Sequence, residues 1–258
     1  MIVTDQLQQK FNFSSPPKRI ISIVPSQTEL LWDLQLHDAL IGITKFCIHP
    51  KLMHQTITHV GGTKSLNIEK IKSLQPDLII GNKEENEQSQ IEELQKHFPV
   101  WMSDIYTLDD SLHMIQSLGI LFNKEAKALE ITAQITTSFK ALPQLNKSAL
   151  YFIWNNPYMV AGRYTFIGDL LQRLGLENVI VENDSRYPSI TIEEIKKLNP
   201  ELMLLSSEPF PFNQTHINEL KKQLPDSDIL IVDGEAFSWY GSRLTQSINE
   251  FKRLAEIV

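Results

Sequence analysis

The sequence predicts an α/β protein made of two three-layer (αβα) lobes with parallel sheets, joined by one long backbone helix. Three observations lead to this fold class. Short apolar runs alternate with amphipathic stretches along the whole chain, one fifteen-residue segment occurs twice, and the middle of the chain has a helical pattern without strands. Strands that alternate with helices are typical of parallel sheets covered by helices.

The apolar runs predict buried strands, four in each half of the chain. A short apolar run alone does not distinguish a strand from a buried helical turn, but regular alternation with helices favours strands. The predicted strands are residues 20–24, 40–43, 78–80, 100–102, 149–154, 179–181, 202–205 and 229–232.

The amphipathic stretches between these runs predict helices. Ser26 with Glu29, and Thr191 with Glu194, have the spacing of a reciprocal capping box at a helix start. A proline ends a helix and leads into the next strand, as expected after two of these stretches. The predicted helices are residues 27–34, 68–74, 87–98, 166–174, 192–198 and 215–224.

An internal repeat is the strongest signal in the chain. LNIEKIKSLQPDLII (residues 66–80) and ITIEEIKKLNPELML (residues 190–204) match at seven of fifteen positions without a gap. The alternative is that any two α/β units share amphipathic spacing. A true repeat predicts two similar lobes, and ligand sites favour the interface between domains.

A helical pattern without strands joins the two halves at residues 122–142. Its apolar residues fall close to one helical face, Asn123 is suited to cap its start, and Pro143 ends it. The predicted organisation is an N-terminal lobe at 1–121, a linking helix at 122–146 and a C-terminal lobe at 147–258.

Composition excludes several functional classes. The formal net charge is −7 without a basic stripe, which argues against nucleic-acid binding. Cys47 is the only cysteine, so no intramolecular disulfide can form. No stretch approaches the roughly 18 apolar residues of a membrane span. Phosphate-binding glycine loops, HExxH helices and nucleophile elbows are also missing from the sequence, which favours a binding protein over an enzyme.

Several segments resemble a known family. PKRIISIVPSQTELLWDLQL (17–36), KFCIHP (45–50), IEKIKSLQPDLIIG (68–81) and AGRYTFIGDLLQRLGLENVI (161–180) are similar to the helical-backbone (class III) substrate-binding proteins of ABC importers. Within that family the likeness is greatest to the cobalamin-binding branch, through GLENVI followed by NDSRYPSI and through FSWYGSR (237–243). The resemblance covers nearly the whole chain from Pro17.

The resemblance implies a ligand and a partner. Family members bind cobalamin, ferric siderophores, haem or bare metal ions and carry no built-in cofactor. They dock on a two-fold ABC permease through one exposed glutamate per lobe, and the matching residues here are Glu69 and Glu193. The alternative is that each is a first-turn glutamate favoured by the helix dipole. We expect a monomer that does not span the membrane.

Candidate ligand residues lie on the loops that follow the strands, where binding residues concentrate. Aromatic side chains there would supply stacking area for a large planar ligand, and Arg243 or Arg163 could hold an anionic edge. For any single aromatic residue, ordinary core packing is the alternative. The predicted ligand-binding set is Phe46, His49, Trp154, Tyr158, Trp239, Tyr240 and Arg243.

Three histidines recur every five residues at His49, His54 and His59. This spacing does not place them on one helical face, and Pro50 interrupts the segment, so they are expected to be loop or surface residues. His49 alone is a candidate axial ligand to the metal of a haem or corrinoid, because imidazole is a common metal ligand.

Two questions stay open from the sequence. The family fold also resembles metal-chelating enzymes of tetrapyrrole metabolism, so an intracellular chelate-handling protein or chelatase-like enzyme is the alternative function. The family is periplasmic or attached to the cell envelope, whereas the first residues lack the apolar run of about seven to fifteen residues expected of a secretory signal. The compartment is therefore left undecided, with a cytoplasmic location as one possibility.

Overall fold

The computed structural model describes residues 2–181 and 185–258 of the chain. The first residues of the NDSRYPSI motif lie outside the described residues. The chain forms two compact units. The first contains Met1–Ile105, Asp109–Ile135 and Trp239–Arg243, and the second contains Tyr106–Leu108, Thr136–Ser238 and Leu244–Val258. The return of Trp239–Arg243 to the first unit is a feature that the contiguous predicted lobes do not contain.

The first unit is built on a five-stranded parallel sheet with strand order β5-β4-β3-β8-β9. Two short antiparallel pairs, β1-β2 and β6-β7, lie outside it. Its strands are β1 (Ile2–Thr4), β2 (Lys10–Asn12), β3 (Ile20–Ser22), β4 (Leu40–Ile43), β5 (Thr58–His59), β6 (Gly61–Gly62), β7 (Ser65–Leu66), β8 (Leu78–Asn82) and β9 (Val100–Ser103).

Helices connect these strands. The apolar faces of two of the helices pack against the strands and form the core of the unit with them. Ile71 of the third helix and Leu94 of the fourth pack with the strand residues Ile21 and Ile79. Such burial stabilises each side chain by about 1.5–3 kcal/mol. The helices are α1 (Pro25–Asp33), α2 (Lys51–Thr56), α3 (Ile68–Leu74), α4 (Gln88–Gln95), α5 (Leu108–Leu121) and α6 (Glu125–Lys140).

The predicted capping box of Ser26 and Glu29 is wrong. Helix α1 begins earlier, with Val24 as its N-cap and Pro25 in its first turn, and no side chain caps it. Proline is suited to this position because its missing N–H would have no partner there. Glu29 is consequently free of a capping role and forms a different contact, described below.

The second unit is also built on a five-stranded sheet. Strands β10, β12, β13 and β14 are parallel, and β11 is antiparallel to β10. The strands are β10 (Lys147–Trp154), β11 (Met159–Val160), β12 (Leu176–Asn178), β13 (Leu202–Ser206) and β14 (Asp228–Val232), and the helices are α7 (Phe166–Arg173), α8 (Ile192–Leu198), α9 (Gln214–Gln223), α10 (Gly234–Ser238) and α11 (Leu244–Ile257).

The predicted strand at 179–181 is wrong. The strand is β12, which ends at Asn178. The side chain of Asn178 donates to the carbonyl of Ala161 and accepts from the N–H of Ile180, at 2.9 Å each. The Val179 N–H still donates to the Ala149 carbonyl of β10, but the Asn178 side chain takes the next N–H, that of Ile180, so the strand ends here although residues 179–181 are apolar.

The helix predicted at 122–142 corresponds to α6, and a helix that the sequence did not predict, α5, precedes it. α5 ends at Leu121 and α6 covers Glu125–Lys140. Asn123 adopts a left-handed conformation with φ of 55°, and its N–H bonds the carbonyl of Ile120. Asn123 therefore terminates α5 and does not cap the linking helix, because asparagine tolerates the left-handed region better than most residues. The chain passes from the first unit to the second within α6.

The internal repeat is confirmed at the level of backbone conformation. Helices α3 and α8 have the predicted bounds, and each is seven residues long. Gln75 and Asn199 end them in the left-handed conformation, both with φ of 46°. A fully buried five-residue strand follows in each case. Thr191 and Glu194 also form the predicted capping box.

Candidate functional site

The loop after β4 carries the first candidate side chains. Phe46 is 49% exposed, and the Lys45 ammonium lies 5.0 Å from its ring centroid. Cys47 is buried between the hydroxyls of Thr28 and Thr44, and burial raises the pKa of its thiol. A buried protonated thiol is an anchor rather than a nucleophile, so Cys47 fixes the loop while Phe46 projects into solvent.

His54 and His59 follow this loop and bind the backbone. A ring nitrogen of His54 lies 3.2 Å from the Cys47 carbonyl, and one of His59 lies 2.8 Å from the His54 carbonyl. The centroids of the two imidazole rings lie 4.5 Å apart. Across residues 2–181 and 185–258, histidine, cysteine, aspartate and glutamate form no group of three or more suited to a metal ion. A role for His49 toward the metal of a chelate stays a prediction.

The segment Trp239–Arg243 brings several candidates together within the first unit. The rings of Trp239 and His49 meet edge to face with centroids 5.5 Å apart. The guanidinium of Arg243 lies 5.0 Å from the Trp239 ring, within the range of a cation–π contact. Three of the predicted ligand residues thus form one cluster, and Trp239 is 8% exposed within it.

Arg243 is bound to a carboxylate of the same unit. Its Nε and Nη2 donate to Glu29 at 2.7 and 2.9 Å. Burial raises the pKa of Glu29, and the hydrogen bonds and charge of Arg243 oppose that rise. The charge that we expected to hold an anionic edge of a ligand is therefore balanced by Glu29. No sequence pattern points to this pair, because 214 positions separate its members.

Tyr240 is buried as well, at 6% exposure. Its hydroxyl donates to Glu85 at 2.7 Å, and burial together with the Glu85 charge raises its pKa well above the ordinary value. The neighbouring Gly241 has φ of 113°, which side chains rarely adopt, and its N–H donates to the Ser111 hydroxyl. These bonds fix the path of the segment through the first unit.

The second unit carries the other two predicted ligand residues. Trp154 ends β10 and is 41% exposed, with the ring of Phe210 5.7 Å away. Tyr158 is half-buried, packs on Phe152 at 5.6 Å, and has a pKa raised by burial. Trp154 therefore offers an accessible aromatic surface, whereas Tyr158 is partly used in packing.

Phe210 and His216 extend this aromatic surface and were missed by the sequence analysis. Their rings lie 5.2 Å apart, and Phe210 follows β13 directly on the chain. His216 accepts a hydrogen bond at Nδ1 from the N–H of Asn213, so its neutral form carries the proton on Nε2. The rule that selected loops after strands would have found Phe210 in SSEPFPFN.

Arg163 is half-buried in the second unit. It lies at a surface cavity of about 340 Å³, together with Gly168, Gln172, Gly175, Leu176, Glu177 and Asn178. The cavity adjoins helix α7 and strand β12. Its lining is mixed in charge, so it does not share the aromatic character of the surface around Trp154.

The two glutamates predicted to dock a permease occupy equivalent positions. Glu69 and Glu193 are each the second residue of their helices, α3 and α8, and both are exposed. The Glu69 side chain is 85% exposed and lies 3.4 Å from the Lys72 ammonium. An ion pair this exposed is weak because water screens its charges, so it leaves the Glu69 carboxylate available to other partners.

Comparison with known proteins agrees with this architecture. The family described as "Periplasmic binding protein" matches residues 20–227. The chain is 26% identical over 199 residues to a vitamin B12-binding protein of Vibrio parahaemolyticus serotype O3:K6, which covers 75% of this chain and 72% of that one.

Solved structures with the same fold include binding proteins for other ligands. The iron uptake ABC transporter substrate-binding protein PiuA of Streptococcus pneumoniae superposes with a TM-score of 0.82 at 17% identity, over 100% of this chain and 98% of that one. The periplasmic heme-binding protein RhuT of Roseiflexus sp. RS-1 superposes with a TM-score of 0.76 at 18% identity, over 92% and 99%.

Two α/β units with parallel sheets, linked through a helix, define the class III substrate-binding proteins of ABC transporters, which confirms the resemblance drawn from the sequence. The chain belongs to the periplasmic binding protein family. This family consists of transport proteins that bind substrates, so the alternative of a chelatase-like enzyme is not supported. Within residues 2–181 and 185–258, no helix has both the length and the apolar character needed to cross a bilayer.

Proposed function

We propose that this protein is the substrate-binding component of an ABC importer and that its ligand is a metal chelate, namely a cobalamin-like corrinoid, a ferric siderophore or haem. The observation that carries the proposal is the exposure of two large aromatic side chains, Phe46 and Trp154, near strand ends. Neither ring is needed to fill a core. Exposed aromatic rings bind the flat, partly apolar surfaces of such chelates through stacking and burial of area.

The similar proteins support this ligand class without selecting one member. Their names specify vitamin B12, heme and iron uptake. Corrinoids, haem and ferric catecholates share a large delocalised surface around a metal ion, so all three suit aromatic side chains. The chelate is proposed to bind reversibly and without covalent attachment, because Cys47, the one cysteine of the chain, is buried as a thiol.

A titration tests the proposal. Purified protein is titrated separately with cyanocobalamin, haemin and a ferric catecholate, while absorbance and tryptophan fluorescence are recorded. We expect saturable one-to-one binding of one probe, and Trp154→Ala or Phe46→Ala to weaken that binding about tenfold, or about 1.4 kcal/mol. Trp32→Phe is the control, because Trp32 packs on His37 in the turn that follows α1.

Two results would contradict the proposal. If the folded protein binds none of the three probes, a chelate is not its ligand. If one probe binds equally well to the wild type, Trp154→Ala and Phe46→Ala, then neither exposed aromatic ring contributes to binding.

The partner is proposed to be a two-fold ABC permease that contacts Glu69 and Glu193. The support is that the two carboxylates occupy the same position of two equivalent helices and are both exposed. Matched charges on two rigid elements can set the register of a complex with a two-fold partner. A monomer presenting one copy of each glutamate is sufficient for this arrangement.

A further inference from the structure

Glu29 and Arg243 form a largely buried ion pair within the first unit. Their side chains are 8% and 13% exposed, and two parallel hydrogen bonds of 2.7 and 2.9 Å join them. A bidentate contact of this kind fixes the plane of the guanidinium as well as its position. Glu29 therefore restrains the orientation of Arg243.

The two partners lie on backbone of different kinds. Glu29 lies within α1, and the preceding Thr28 hydroxyl bonds the Val24 carbonyl and the Ser22 hydroxyl at 2.7 Å each. Arg243 ends the short segment between α10 and α11, which has no regular secondary structure. The bonds of Tyr240 and Gly241 hold the backbone of this segment, and the bidentate contact with Glu29 then restrains the long Arg243 side chain.

Arg243 transmits this position to the aromatic cluster. Its guanidinium lies 5.0 Å from the Trp239 ring, which meets His49 edge to face at 5.5 Å. Carboxylate, guanidinium, indole and imidazole therefore follow one another in a continuous series of contacts. A guanidinium that stacks on a ring while bound to a carboxylate restricts the rotation of that ring.

We propose that Glu29 is a positioning residue for ligand binding: it holds Arg243, and through Arg243 it fixes the Trp239 ring beside His49. The inference rests on the proposed function for its consequence, which is that ligand affinity depends on Glu29 without contact between Glu29 and the ligand. It also assigns Arg243 an orienting role in place of the anion-binding role expected from the sequence.

The first test needs no ligand. The emission of Trp239 is obtained as the difference between each protein and the same protein carrying Trp239→Phe, and its quenching by acrylamide is measured. We expect Glu29→Gln to shift this emission and to increase the quenching, because a neutral amide no longer fixes the guanidinium with two charged hydrogen bonds. Arg243→Gln should produce the same change, and the double variant should add nothing further.

The matched control is Asp33→Asn. Asp33 lies on the same helix one turn after Glu29 and also contributes negative charge near it. We expect this variant to leave the Trp239 emission unchanged. The inference is overturned if Asp33→Asn and Glu29→Gln have equal effects, if Glu29→Gln has none, or if its effect adds to that of Arg243→Gln.

Should Glu29→Gln fail to fold, Glu29→Asp keeps the charge on a shorter side chain and is expected to give a smaller shift in the same direction.

The second test uses whichever of cyanocobalamin, haemin and the ferric catecholate binds the wild type. We expect Glu29→Gln to weaken that binding about fivefold, and to have no effect in a protein that already carries Trp239→Phe. A fivefold loss that persists without Trp239 would overturn the inference. If no probe binds the wild type, the proposed function fails, while the fluorescence measurements still decide whether Glu29 positions Trp239.

Discussion

The hydroxyl of Tyr240 donates a hydrogen bond of 2.7 Å to the carboxylate of Glu85, which lies 155 positions earlier in the chain. Burial is the main cause that raises the pKa of Tyr240 well above its ordinary value of 10.0, and the negative charge of Glu85 adds to it. The hydroxyl therefore stays protonated and remains a donor. A second acidic side chain, besides Glu29, thus holds the returning segment Trp239–Arg243.

Removing this hydroxyl should destabilise the protein measurably. Tyr240→Phe keeps the ring and deletes only the donor, so we expect the free energy of unfolding to fall by about 1.5–3 kcal/mol, the range for hydrogen bonds to charged groups. Urea denaturation followed by circular dichroism measures the change. Tyr164→Phe is the control, since Tyr164 is 72% exposed. Equal stability of the wild type and Tyr240→Phe would show that the bond contributes nothing net.

Reversing the charge of the docking glutamates should separate transport from binding. In protein reconstituted with its cognate permease, we expect Glu69→Lys and Glu193→Lys each to reduce uptake of the bound chelate about tenfold while its Kd stays unchanged. The defect should be largest at low salt, because surface charges are screened as ionic strength rises. Glu256→Lys, an exposed change on α11, is the control. Normal uptake by the double variant would remove the assigned docking role.

Replacing His49 tests coordination of the chelate metal. If haemin is the bound probe, we expect His49→Ala to shift the main absorbance band of the complex, because an axial imidazole changes the electronic state of the iron. His113→Ala serves as the control, since His113 is exposed on α5. An unchanged spectrum in His49→Ala would show that His49 is not an axial ligand.

When the pH is lowered, Glu29 should lose its charge, and with it the ion pair with Arg243, at a higher pH than a glutamate of ordinary pKa would. Burial raises the pKa of Glu29 above 4.5; Asp33 raises it further, whereas Arg243 and His49 lower it. Between 4.5 and the raised value, the folded protein binds more protons at Glu29 than the unfolded chain does. The free energy of unfolding therefore falls as the pH rises through this window.

Two measurements test this fall of the unfolding free energy with rising pH. The difference in unfolding free energy between the wild type and Glu29→Gln should decrease as the pH rises above 4.5 and then become constant. The Trp239 emission should change in the same window in the wild type alone, because only there does the carboxylate lose its charge. Identical pH profiles for the two proteins would contradict the assignment of this titration to Glu29.

The parts of the fold predicted correctly are those that local sequence determines. Helices α3 and α8 have the predicted bounds because apolar spacing, a following left-handed residue and a proline all act within a few positions. The capping box of Thr191 is local in the same way. At Ser26 the same spacing misled, because Pro25 offers an earlier helix start that competes with the side-chain cap.

The candidate site was predictable in its residue types and not in its contacts. The search of loops after predicted strands selected Trp154, Trp239 and Arg243, although Trp154 is the last residue of β10 and α10 separates β14 from the other two. The partner of Arg243 lies 214 positions away, and no spacing rule reaches that far. Burial of Trp239 likewise depends on tertiary packing. Its position after a predicted strand therefore identified it as a candidate but could not predict that it is only 8% exposed.

The return of Trp239–Arg243 to the first unit limits how the gene can be divided. A fragment that ends after Ile135 would contain Glu29 and Glu85 without the residues that bind them. Its interior would hold a carboxylate with no cation beside it, a strongly destabilising situation. We therefore expect the amino-terminal half to be poorly folded when it is expressed alone. Co-expression with the carboxyl-terminal half, which supplies Trp239–Arg243, should restore its solubility.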